Sequence, residues 1–232
     1  MLNREKHRLI MGQILRDIYQ DITLAPHLGL KGGTCTYFFY GLPRFSVDLD
    51  FDLLNNSPEI QSHISKTIQT ILEQYGKVKG SHAKRSTIFF LLSYGDEDHN
   101  IKVEISTRTL INDMYKLYEV KDHLGFGMLA AKEDYLCTGK LAALTLRSST
   151  AMRDVFDTHF FLKKNTDLNE DILKILTGKS KKEYLEDCIR CVEKIDNTYI
   201  LNGLGELLNE REKAWVRTNL KKDAIFLLRL RI

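Results

Sequence analysis

Residues 30–54 read LKGGTCTYFFYGLPRFSVDLDFDLL. The second half of this stretch alternates with a period of two, which predicts a strand over 45–54. Phe45, Val47, Leu49, Phe51 and Leu53 fall on one face, and Ser46, Asp48, Asp50 and Asp52 on the other. Asp48 and Asp50 then share a face with Cα atoms about 6.5 Å apart, and Asp52 continues the row. Three carboxylates in a row repel one another. The row is either a solvated strand face or a place where a divalent cation is recruited. Mg²⁺ favours a few carboxylates together with substrate phosphates. Two such ions can clamp the attacking and leaving oxygens of an in-line phosphoryl displacement. The first half of the stretch supplies the complementary feature. Gly32 and Gly33 allow close backbone approach, and a helix expected after Thr34, ending near residue 40, turns its N-terminal amides toward an anion. Thr34 can bond a phosphate oxygen or cap that helix. Either half alone is common; the two in this order point to nucleotide chemistry.

Upstream, Ile10, Ile14 and Ile18 recur at helical spacing and predict a helix over about 2–20, closed by Pro26 and Gly29. Downstream, Asn55-Asn56-Ser57-Pro58 is a turn, with Ser57 as the N-cap of a helix over about 58–75. Strands over 87–94 and 100–107 are expected to form a hairpin across a turn at 95–98. From Lys132 onward the pattern is helical, with helices near 132–147, 151–163, 168–177, 181–195, 199–211 and 215–230. Ser148-Ser149-Thr150 separates the first two. The expected division is an α/β core over 1–130 and a helical domain over 131–232.

The balance of 34 Lys+Arg against 31 Asp+Glu does not by itself announce a nucleic-acid binder. The 3 prolines and 14 glycines exclude long disordered or collagen-like segments. No run of 18 apolar residues exists, and MLNREKHRLI lacks the apolar core of a signal peptide, so no membrane association and a cytoplasmic location are expected. Cys188 and Cys191 form a lone C-x-x-C with no second pair at zinc spacing, and read as neighbours on one helix face. The seven histidines show no metal-ligand spacing.

The stretch around the acidic row resembles the core motif of the AbiEii nucleotidyltransferase toxins, also called MenT-type, of the DNA polymerase β-like superfamily. The motif is carried by Lys31, Gly32, Gly33, Thr34, Arg44, Phe45, Ser46, Asp48, Asp50 and Phe51. The resemblance resumes at Lys140, Arg147 and Arg153-Asp154-Val155-Phe156-Asp157, and spans about residues 31–160. It implies an α+β fold, with a small mixed nucleotidyltransferase sheet flanked by helices and followed by an all-helical C-terminal half. It implies that Asp48 and Asp50 bind Mg²⁺ (or Mn²⁺), and that Gly32 and Gly33, with Thr34 or Ser46, position a triphosphate. Lys140 would contact that triphosphate, and Asp157 would complete the catalytic set from the helical domain. Glu104, on one face with Lys102 and Ser106, is the rival for the third carboxylate. Arg147 and Arg153 would hold phosphates of nucleotide or acceptor. The implied activity is transfer of a nucleoside monophosphate from an NTP to an acceptor hydroxyl, the tRNA 3′ end, by a toxin of an abortive-infection system restrained by an antitoxin. The alternatives are a small-molecule or protein acceptor, or a catalytically silent nucleotide-binding protein of the same fold.

Several of these residues also have plainer readings. Lys140 can snorkel from an apolar stripe. Arg153 and Asp157 can form an i,i+4 helix pair. The run Lys77, Lys79, Lys84 and Arg85 can be a solvated loop or can track an RNA backbone. Residues 164–232 carry no assigned role.

Overall fold

The computed structural model describes residues 2–84, 86–95, 99–108, 111–123 and 125–232. The chain divides into two compact units. One comprises Met1–Gly41 and Phe45–Ala131; the other comprises Leu42–Arg44 and Lys132–Ile232.

The first unit contains, in chain order, α1 (Arg4–Gln20), β1 (Leu28–Lys31), α2 (Gly32–Phe39), β2 (Leu49–Leu53), α3 (Pro58–Glu73), β3 (Lys77–Lys84), β4 (Thr87–Ser93), β5 (Ile101–Ser106), β6 (Tyr118–His123) and β7 (Phe126–Ala131). The strands form one mixed sheet in the order β3-β4-β5-β2-β1-β7-β6. The acidic strand β2 lies inside it, antiparallel to β1 and parallel to β5. Leu49, Phe51, Val103, Ile105, Leu28 and Leu30 are fully buried on these three strands. Met11, Ile14, Leu15 and Ile18 of α1 and Ile64, Ile68 and Leu72 of α3 complete the core. Asn3 caps α1, and Ser57 caps α3 with Pro58 in its first turn. The hairpin expected from the two apolar runs is the β4–β5 pair; of its turn, residues 96–98 lie outside the described residues.

Two expectations are corrected here. The strand predicted over 45–54 forms only at Leu49–Leu53, because side chains take the carbonyls a longer ladder would use. His7 Nε2 lies 2.9 Å from the Val47 carbonyl, and the Thr34 hydroxyl bonds the Asp48 carbonyl. The basic run before the hairpin is a strand rather than a loop. β3 occupies the sheet edge, where lysines discourage pairing with another chain. Arg85 lies outside the described residues. Strands β1, β6 and β7 carried no strand signal strong enough to be read.

The second unit contains α4 (Glu133–Leu146), α5 (Met152–Lys163), α6 (Glu170–Thr177), α7 (Lys181–Glu193), α8 (Glu210–Trp215) and α9 (Lys221–Arg229), with a π-helical turn at Val216–Leu220 between the last two. The helix expected over 199–211 does not form. Short 3₁₀ turns at Asn197–Tyr199 and Gly205–Leu207 replace it, and Gly203 between them takes φ +63°. That left-handed residue ends any continuous helix. The Cys188 and Cys191 thiols lie 3.8 and 3.2 Å from the Leu141 and Leu144 carbonyls of α4. No described helix is long and apolar enough to cross a membrane.

Candidate active site

The register of β2 assembles the first part of the site. Asp50 pairs across to Lys31 of β1 on one side and to Glu104 of β5 on the other. Adjacent strands lie about 4.8 Å apart, so the Asp50 and Glu104 carboxylates start from neighbouring positions on one face. Both are half-buried, while Leu49, Phe51, Val103 and Ile105 point to the core.

Gly32 follows Lys31 directly and opens α2. Its φ is +72°, and a Cβ there would stand 2.4 Å from Asp50 Oδ2. Only glycine satisfies both the left-handed backbone and the closeness of that carboxylate. The start of α2, where the first-turn amides lack intrahelical acceptors, is thereby set against Asp50. Asp48 precedes the strand and is half-buried, with the Lys102 ammonium 3.7 Å from Oδ2.

Thr34 and Ser46 are buried. Thr34 Oγ1 donates to the Asp48 carbonyl and lies 2.9 Å from Ser46 Oγ. These hydroxyls brace the segment that presents Asp48. Asp52 does not continue an open row. It is buried; Lys31 donates to one carboxylate oxygen, and Tyr118 Oη donates to the other at 2.7 Å. A carboxylate so occupied is part of the framework.

The second unit holds a separate charge cluster. Asp157 of α5 is wholly buried, and its two oxygens accept a bidentate pair from Arg44 Nε and Nη2, each at 2.6 Å. Lys140 Nζ of α4 lies 2.8 Å from Asp157 Oδ2 and 3.1 Å from Asp154 Oδ1. Arg147 Nε lies 2.9 Å from Asp154 Oδ2, with half of its own side chain exposed. Lys140 therefore meets anions rather than snorkelling, and those anions are Asp154 and Asp157. Burial pushes the Asp157 carboxyl up, but the charges of Arg44 and Lys140 outweigh burial and hold it down at about 2. Burial pulls the Lys140 ammonium down, and Asp157 and Asp154 more than restore it, leaving it raised. A carboxylate held this low, with both oxygens engaged by cations, is a weak proton acceptor. Arg44 and Lys31 belong to the sequence motif but had no role assigned to them. Arg44 is buried and Lys31 half-buried; their acids lie 113 and 21 residues away, and no sequence signal pairs residues at such separations.

Among the described residues, no group of three or more His, Cys, Asp or Glu side chains is gathered closely enough to hold a metal ion unaided. The donor set nonetheless suits Mg²⁺, which is held by one or two carboxylates plus substrate phosphates. Asp48 and Asp50 are oxygen donors, and glycine at position 32 keeps the Asp50 carboxylate clear of a side chain.

Residues 13–225 match the family model described as nucleotidyl transferase AbiEii toxin, type IV TA system. The chain belongs to this family. AbiEii membership covers both units, including the acidic strand and the Arg44–Asp157 cluster. A search of curated proteins gave no match. Among solved structures, JHP933 from Helicobacter pylori is similar at a TM-score of 0.61 and 22% identity, over 99% of this chain and 93% of that one. MenT4, a nucleotidyltransferase toxin from Mycobacterium tuberculosis H37Rv, is similar at a TM-score of 0.57 and 15% identity, over 97% of this chain and 83% of that one. At these identities the likeness is one of fold, and it agrees with the AbiEii assignment.

Proposed function

We propose that the acidic strand carries Mg²⁺-dependent (or Mn²⁺-dependent) nucleotidyl transfer from an NTP to the 3′ hydroxyl of a tRNA. The observation that carries this reading is the position of Asp50, against Gly32 at the start of α2 and in register with Glu104. Asp48 and Asp50 would hold the ion, which when bound supplies charge neutralisation at the reacting phosphate. The start of α2 faces the anionic nucleotide with free amides. Glu104 takes the proton from the attacking hydroxyl, whose oxygen bonds the α-phosphorus as the α–β bridging P–O bond breaks and pyrophosphate leaves with the electron pair.

Glu104 is preferred to Asp157 for this role because both Asp157 oxygens are engaged by Arg44 and Lys140, which leaves that carboxylate a weak base, whereas Glu104 is half-exposed beside Asp50. Asp157 serves as a positioning residue through Arg44. A phosphate that competes for Lys140 must displace Asp154 or Asp157 from it. Arg147 and Arg153 would hold phosphates of the nucleotide or the acceptor RNA, Arg147 in exchange for Asp154. Family membership supports a toxin role, and a cognate antitoxin protein is the partner that such a role requires.

The test is incubation of the full-length protein with each α-labelled NTP, Mg²⁺ and total tRNA, followed by separation of the labelled species. Label on RNA that disappears with Asp48→Asn supports the reading. Label on a small molecule or a protein reassigns the acceptor, and no label with any NTP leaves a nucleotide-binding protein without turnover.

A further inference from the structure

Four rings gather where the C-terminal end of α2 meets the β6–β7 hairpin. Phe38 lies nearly parallel to His123, with ring centroids 4.5 Å apart and planes 25° apart. Phe39 meets His123 edge-on at 5.8 Å, and Phe126 does so at 6.4 Å. All four rings are half-exposed. Phenylalanine usually earns its place by burial, so two neighbouring phenylalanines stacked around a histidine in contact with solvent require a reason.

Arg8 of α1 supplies a second observation. It is exposed, its charge acts on His123, and it has no ion pair or hydrogen bond with another described residue. Burial holds the His123 imidazole below its ordinary pKa, with Asp122 opposing and Arg8 adding to the effect. The ring is therefore neutral at neutral pH and offers a flat aromatic surface rather than a charge. Flat rings within the electrostatic reach of an exposed guanidinium match a nucleobase and its phosphate, since bases stack on aromatic side chains and arginine binds phosphate. The placement also suits the reaction. Phe38 stands six residues beyond Gly32 on the same helix, about 9 Å along its axis, and Gly32 is the residue against Asp50.

We infer that Phe38 and His123 form a stacking platform for an unpaired nucleobase near the 3′ end of the acceptor RNA, with Arg8 on its phosphate. This rests on the nucleotidyl-transfer reading above. A nucleobase could also arrive with the NTP, and the experiment separates the two sources.

The full-length Asp48→Asn protein, without metal or NTP, is titrated with a short single-stranded RNA carrying 2-aminopurine at its 3′-terminal positions. A parallel arm uses 2-aminopurine ribonucleoside triphosphate alone. Stacking quenches the RNA probe. Adding Phe38→Leu should weaken RNA binding about fivefold or more and restore the fluorescence, whereas Phe38→Tyr should preserve both. Arg8→Gln should lower the slope of log affinity against log salt by about 0.7. Thermal melting confirms that each variant is folded, and Phe38→Tyr and Arg8→Gln carry the test if Phe38→Leu is not. RNA that binds without quenching, or binds Phe38→Leu as it binds the parent, overturns the inference. Quenching of the triphosphate but not the RNA also overturns it, by placing the platform under the incoming nucleotide. The two proposals fail separately. Quenched RNA with no label transfer by the wild-type protein removes the reaction and keeps the platform. Transfer with an unchanged KM for RNA in Phe38→Leu does the reverse.

Discussion

Removing the Asp157 carboxylate should cost the protein a large part of its stability. Asp157 is wholly buried, and Arg44, which reaches it through two 2.6 Å bonds, is only 2% exposed. Asp157→Ala removes both oxygens to which that buried guanidinium donates, and breaking a buried pair in this way costs about 3–5 kcal/mol. The expected loss is a substantial share of the roughly 5–15 kcal/mol that holds a typical domain folded.

The pH dependence gives a second measure of the same carboxylate. Its pKa falls from 3.8 to about 2 on folding, and each unit is worth about 1.4 kcal/mol, so its ionisation contributes about 2 kcal/mol. Because the folded pKa is the lower one, that contribution is complete above about pH 4 and is lost as pH falls toward 2. Urea unfolding of the full-length protein, followed by circular dichroism at pH 7 and stepwise down to about pH 2.5, reads both quantities. Asp157→Ala should unfold at lower urea at pH 7 and should lack the wild type's added loss between about pH 4 and 2.5. Arg44→Met combined with Asp157→Leu should recover most of the stability, because apolar replacement of both partners is often neutral. A cost below about 1 kcal/mol for Asp157→Ala, the worth of an exposed pair, would refute the buried-clamp reasoning.

Three further outcomes follow from the first unit. Asp50→Asn should abolish label transfer to RNA while leaving the melting temperature within a degree or two, since asparagine keeps the shape and the hydrogen-bonding capacity of this half-buried side chain; full transfer in the variant would sink the metal assignment. Gly32→Ala should lose both transfer and about 1–2 kcal/mol of stability, because alanine is strained at φ +72° and its Cβ would strike Asp50; a variant that melts and transfers like wild type would contradict the close approach. Lys79→Glu with Lys84→Glu should weaken tRNA binding more at low salt than at high salt and spare NTP binding, measured by filter binding across a salt series; equal tRNA affinity at low salt would return β3 to a purely protective edge.

The acidic strand was legible because alternation over Leu49–Leu53 is undiluted and because it follows Gly-Gly-Thr in an order more telling than either half alone. Its true length was not, because the residues that end it, Thr34 and His7, act from elsewhere in the chain. Asp52 looked like a third site carboxylate for the same reason. Its partners are Lys31, twenty-one residues back, and Tyr118, sixty-six residues on, and no local period records them. Short strands escaped for different causes. LGLK in β1 is too brief to show a period. FGMLAA in β7 is as compatible with a buried helix start as with a strand. In β3, lysines, glycine and serine hide the alternation that an edge strand scarcely needs. The long C-terminal helices were readable from their apolar stripes, whereas the segment near Gly203 kept a helical composition without a helical backbone.

The bond between Arg44 and Asp157 also sets a timetable. The two residues are 113 positions apart, and a ribosome adding about 5–20 residues per second needs roughly 6 to 20 s to cover that distance. The parallel pairing of Leu30 with Ala130 imposes nearly the same wait on the sheet. During synthesis, the segment leading into Asp48 and Asp50 thus emerges early and lacks its anchor until α5 has been made. The acidic strand is translated about a hundred residues before β7 and α5, yet its fixed geometry requires both.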